Sequence, residues 1–172
     1  MAAVIAAAGL LQPDATAADP AASGPASGAA AARAGAPAPD AAAVAYPLDC
    51  KGLPVAVTAT AQGDLDGDGR PETVAAVRCD AGSGTPPHTL YVLAQDKAPG
   101  ARPRIVATLL EAGRRQTATD LTVRDGIVTA RLLGYSSPQV PRYSPDVKQL
   151  AKWRWTGGKF RQELTNAEAG SV

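Results

Sequence analysis

The run GDLDGDGRPE, residues 63–72, places Asp64, Asp66, Asp68 and Glu72 within nine positions of a chain that has sixteen Asp and Glu in all. From 64 to 68 every second residue is acidic. Like charges this close raise each other's proton affinity and resist compaction unless a cation sits among them. The chemistry on offer is metal binding, and the donor type selects the metal. Calcium is a hard cation that takes about six to eight oxygens, and carboxylates spaced by one residue can converge on it from a tight loop. Gly69 follows the third Asp, where such a loop must turn sharply, and Gly67 gives freedom between Asp66 and Asp68. The main-chain carbonyl of Arg70 is the natural next ligand, and the Glu72 carboxylate the one after it. The competing reading is an Asp/Gly turn that holds no metal.

Other reactive constellations are thin. His88 is the single histidine and the two cysteines are expected to be bridged, which together exclude a His-based zinc site and a Cys–His nucleophile. A serine hydrolase built from Ser136 or Ser83 with His88 is the enzymatic alternative. Its motif is weak, because Pro138 stands where a G-x-S-x-G elbow needs glycine. Glu111, Asp120 and Glu163 show no spacing that would single out a glycosidase pair. No catalytic residue is assigned, and the reading is non-enzymatic.

Cys50 and Cys79 bracket the acidic run. In an exported protein an even cysteine count implies a disulfide; in a cytosolic one the pair would be buried free thiols. Residues 2–11 form a short apolar run of signal-peptide size, and Ala15-Thr16-Ala17 offers an A-x-A cleavage site. No Lys or Arg precedes Arg33, so residues 1–17 read either as a leader lacking its basic start or as a truncated membrane segment. Residues 18–45, rich in Ala, Pro, Gly and Ser, cannot repay their ordering entropy and read as a linker. The Cys50 context, Pro47-Leu48-Asp49, does not suit lipid attachment. An extracellular or envelope-associated location follows.

Net charge is +1, and the twelve Arg and five Lys look scattered along the sequence, not striped on one face. No nucleic-acid partner is therefore expected, and a membrane only through an N-terminal anchor. The expected partner is a protein or a cell-envelope ligand, and the expected state is a monomer.

The elements that must position the acidic run are strands. Period-2 segments separated by turn residues fill residues 46–163, and helical periodicity is absent over any window of useful length. VAVTATA (55–61) puts Val55, Val57, Ala59 and Ala61 on one face, and ETVAAVRC (72–79) is its partner, so the acidic run becomes a hairpin connection. TLYVLA (89–94) and RIVATLL (104–110) read as central, buried strands. In LTVRDGIVTARLL (121–133) the Asp125-Gly126 turn sets Val123 against Val128 and Leu121 against Ala130, leaving Thr122, Arg124, Thr129 and Arg131 on a wet face. In KWRWTGGKF (152–160) the Gly157-Gly158 tip sets Trp155 against Phe160, with Trp153 on the same face as a core plug. Between them, Ser144-Pro145-Asp146 could cap one helical turn, or the segment could run extended. The fold class is mainly β: a single small antiparallel sheet domain over 46–163, followed by a flexible tail at 164–172.

The acidic run is no EF-hand, because its flanks are strands and the twelfth loop position is Ala75. Its spacing, D-x-D-x-D-G-x-x-E, resembles the calcium hairpins of FG-GAP repeats. That resemblance covers GDLDGDGRPETVAAV and implies side-chain ligands at Asp64, Asp66 and Asp68, a main-chain ligand at Arg70 and a closing ligand at Glu72. With one copy, no internal repeat and too few residues for a ring of blades, the loop is expected to transfer and the propeller is not. More broadly, the Ala/Pro tether, GDGRPETV with RCDAGSG, and WRWTGGKF resemble small secreted or envelope-anchored actinobacterial proteins of unknown function. What these readings imply together is an exported, calcium-binding, disulfide-stapled β domain acting as a binding or sensory module. The further alternative is the ectodomain of a membrane receptor or kinase.

Overall fold

The computed structural model describes residues 36–98 and 100–167. The leader expected at 1–17, most of the linker and the last residues of the tail lie outside the described residues.

Eight antiparallel strands form two four-stranded meanders. The first sheet runs in the order β1 (Val55–Gly63), β2 (Glu72–Cys79), β3 (Thr89–Gln95) and β4 (Pro103–Leu110). The second runs β5 (Thr117–Arg124), β6 (Ile127–Gly134), β7 (Val147–Thr156) and β8 (Lys159–Asn166). The sheets stack as a sandwich, with β1 near β5 and β4 near β8. Two sheets, where a single one was expected, follow from the alternation itself. Val74, Ala76, Leu90 and Val92 of the first sheet need an apolar cover, and Val128, Ala130, Leu132 and Trp153 of the second supply it. Trp153 is 2% exposed and fills the centre.

Hairpin registers came out as the turn chemistry requires. Val123 pairs with Val128 across Asp125-Gly126, and Trp155 pairs with Phe160 across Gly157-Gly158. Three expectations are corrected by bulges and by strand order. The ladder shifts between Val57 and Ala59, so Val55 and Val57 face one side of the first sheet, Ala59 and Ala61 the other. It shifts again between Thr119 and Thr122, where Asp120 has φ 52°, so Leu121 does not sit opposite Ala130. β4 is an edge strand with alternating exposure, not a central one. Short helical turns occur at Ala41–Ala43 and Ala112–Arg114, not at 144–146, and residues 147–150 run extended into β7.

The domain starts earlier and ends later than its composition indicates. Ala41 and, around it, Val44, Tyr46 and Leu48 pack on Ala75, Val77, Tyr91 and Leu93, the outer face of the first sheet. The Thr73 hydroxyl donates to the Pro39 carbonyl at 2.7 Å, and the Tyr46 hydroxyl donates to the Ala41 carbonyl at 2.7 Å. Burial, with Asp40 nearby, pushes the Tyr46 hydroxyl pKa up to about 12. Residues 36–45, expected as linker, are thus a roof over that sheet from Pro39 onward. At the other end β8 extends through Asn166 into the expected tail.

Among the described residues, nothing roofs the outer face of the second sheet in this way. Its register gathers seven of the chain's seventeen Lys and Arg on one exposed surface, which corrects the expectation of scattered cations.

Candidate metal centre

The acidic loop, residues 64–71, joins β1 to β2 at one end of the sandwich. Leu65, 5% exposed, plugs the loop into the core while the acidic residues on either side turn away from it. Gly67 and Gly69 both have φ near +80°, which a side chain would strain. Close packing fixes the loop's base as well: a Cβ on Gly63 would lie 2.5 Å from Val123 Cγ1.

The carboxylates organise the loop from within. Asp64 accepts the Gly67 N–H at 2.7 Å through one oxygen and the Gly69 N–H at 2.9 Å through the other. Asp66 accepts the Asp68 N–H at 3.0 Å, and Asp68 accepts the Arg70 N–H at 2.8 Å. Glu72, the first residue of β2 and 8% exposed, accepts the Leu65 N–H at 2.8 Å. One oxygen each of Asp64, Asp66 and Glu72 lies within 4.8 Å of the others, a cluster that could hold a metal ion. Three of the four expected carboxylates therefore share a centre. Asp68 lies outside that triad, beside it on the loop.

Electrostatics leave this cluster short of positive charge. Burial raises the Glu72 pKa, the Leu65 N–H opposes the rise, and Asp66, Asp68 and Asp64 add to it. Among the described residues no ion pair reaches any of the four carboxylates; the pairs present are Lys51–Asp49, Arg104–Asp96 and Arg131–Asp120. The donors are all carboxylate oxygens, the set that suits a hard divalent cation.

The loop also walls a cavity of about 450 Å³, which the sequence reading did not foresee as a place. Asp66, Asp68 and Glu72 line one side; Arg104, Trp155 and Phe160 line others. Trp155 and Phe160 meet edge to face at 5.0 Å, so this part of the expected aromatic plug is a wall of the cavity, and Trp153 alone is the plug. The signal was present in the inward alternation of the last hairpin, but its nearness to the acidic loop depends on how the sheets stack.

At the far end of the same hairpin Cys50 and Cys79 form a disulfide, with Val55 paired to Cys79. A disulfide is compatible with an extracellular location, and no helix among the described residues is long and apolar enough to cross a membrane.

His88 has a structural post. Its Nδ1 accepts the Ala118 N–H at 3.0 Å, and Nε2 lies 3.1 Å from the Thr58 hydroxyl, which donates to the Ala76 carbonyl at 3.2 Å. With the hydroxyl proton so used, Nε2 carries the imidazole proton and the ring is neutral. The relay ties β5 of one sheet to β1 and β2 of the other. Ser136 is engaged by Asp146 and Ser83 lies in an exposed turn, so neither makes the hydrogen bond to His88 that a triad needs. Burial, then Arg78, lowers the His88 pKa below its ordinary 6.5. The unfolded chain therefore takes up the proton first, and stability is lost as pH falls through about 6.5 towards the lower folded value. The melting temperature, measured with chelator present, is expected to drop between pH 7 and pH 5 and to drop less in His88→Gln. A parallel fall in the two proteins would contradict the relay.

The fold and site define a disulfide-linked antiparallel β-sandwich carrying a carboxylate-rich hairpin loop that could hold a metal. Comparison of the chain with protein-family models, with curated proteins and with solved structures gives no match.

Proposed function

We propose that the protein is an exported calcium-binding module, non-enzymatic, that presents the cavity beside its metal loop to a ligand of the cell envelope or to another protein. Calcium is held by Asp64, Asp66, Asp68, the Arg70 carbonyl and Glu72. The observation that carries this reading is the convergence of Asp64, Asp66 and a buried Glu72 on one centre, with no cation among the described residues paired to them. The likeness of the loop to FG-GAP hairpins supports the same ligand set. The disulfide supports export, where calcium is plentiful and a weak site suffices.

Calcium binding only the folded state stabilises it by RT ln(1 + [Ca]/Kd), about 1–3 kcal/mol for a modest site. The expected result is a melting temperature of the oxidised chain that rises with calcium and returns with chelator. The rise should disappear in Asp64→Asn and in Glu72→Gln. It should also grow from pH 5 to pH 7, because protons compete for the same oxygens and Glu72 holds its proton unusually well. No calcium response in the oxidised wild-type chain rejects the proposal.

A further inference from the structure

Both sheets of the sandwich have an outer face, and they are treated differently. Residues 39–48 roof the first, while no described segment covers the second. On that bare face the register aligns Arg124, Ile127, Arg154 and Arg161 in one row across all four strands. Arg154 and Arg161 are directly opposed, a like-charge pair that weakens a sheet unless something anionic lies over it. Rows behind it add Lys152 and Arg131, with Lys148 further along β7 and Lys159 beside the hairpin tip. All seven cations are exposed. The face carries two acids, Asp120, 3.6 Å from Arg131, and Glu163, paired in register with Lys152. In a chain of net charge +1 this is a marked local excess. The acidic loop abuts only the β5–β6 turn at one end of the face, where a Cβ on Gly126 would lie 3.4 Å from the Asp64 carbonyl.

We infer that the outer face of the second sheet binds a linear acidic polysaccharide laid across its strands. Charge complementarity calls for a polyanion, and the exposed sheet face has room for a polymer. Strands about 4.8 Å apart make it roughly 14 Å wide, and eight residues make it roughly 26 Å long. Arginine forks match carboxylates in two-point geometry. Thr119, Thr122 and Thr129, on the same face between the cations, offer hydroxyls to a ligand that carries hydroxyls as well as charge. The composition of the face disfavours the other polyanions. Single-stranded nucleic acid needs aromatic platforms, and Trp153, Trp155 and Phe160 all lie on the inner side. An anionic membrane needs apolar side chains that protrude, whereas Ile127, Leu133 and Leu150 are half-buried among the cations.

The test is fluorescence anisotropy of labelled polygalacturonate with the full oxidised chain, in chelator so that the calcium loop takes no part. Binding is expected at low ionic strength and should weaken with salt. Arg154→Glu/Arg161→Glu should reduce affinity by about tenfold or more. Arg114→Glu/Arg142→Glu, an equal charge change at exposed positions outside the strands, should leave affinity within about twofold. Circular dichroism establishes that each variant is folded. The inference is overturned by absence of binding in the wild type, by equal losses in the two variants, or by tighter binding to duplex DNA or to phosphatidylglycerol vesicles than to polygalacturonate.

Discussion

Deleting residues 1–45 should unfold or nearly unfold the protein, while deleting residues 1–35 should leave its melting temperature essentially unchanged. The difference lies in ten residues whose composition looks like linker. Ala41 is buried, Val44 packs beside it, and the Pro39 carbonyl accepts the Thr73 hydroxyl. Without them the outer face of β2 and β3, including the fully buried Val77 and Leu93, meets water. Loss of two or three buried apolar groups and one buried hydrogen bond costs about 3–5 kcal/mol. That is a large part of the stability of a domain this size. Tyr46, which stacks on Tyr91 at 5.4 Å between centroids, would also lose the Ala41 carbonyl that accepts its hydroxyl. Chemical denaturation of the two truncated chains checks this. Equal midpoints would mean that the roof contributes nothing.

The roof shows where sequence reading runs out. Ala and Pro are poor at burying area, so nothing local marks residues 39–44 as part of the core. They are recruited because β2 and β3 are apolar on both sides, each carrying buried residues at consecutive positions, and both faces need a cover. The hairpins were easier, since a Gly-containing turn fixes which residues face each other and the alternation then fixes the faces. Bulges broke that inference at Thr58 and at Asp120 because an inserted residue leaves no compositional trace. Thr58 is also where the backbone irregularity brings a hydroxyl to His88, a long-range contact invisible in either residue alone. The acidic cluster was readable because all its oxygens come from one short segment. The cationic face was not, because Arg124, Arg154 and Arg161 become neighbours only once four strands are in register. Long-range adjacency separates what was visible from what was not.

Replacing Cys50 and Cys79 with Ala should cost about 3–4 kcal/mol yet leave the calcium response intact. The bridge spans a sequence separation of 29, and closing a loop of that size restricts the unfolded chain by an amount of this order. Its position sets the second half of the expectation. Within the β1–β2 hairpin, Val55 pairs with Cys79 near the disulfide, and Gly63 pairs with Glu72 beside the acidic loop. Eight residues of extended strand put the two ends roughly 26 Å apart. Perturbations that far apart, with no shared partner, add within about 0.5 kcal/mol. The double variant should melt lower in chelator and still gain from calcium the same increment as the wild type. A folded double variant that no longer responds to calcium would mean that the bridge positions the loop through the strands. The two ends of the hairpin would then be one mechanical unit, and Glu72 would owe its place in the cluster to Cys79 as much as to the burial around it.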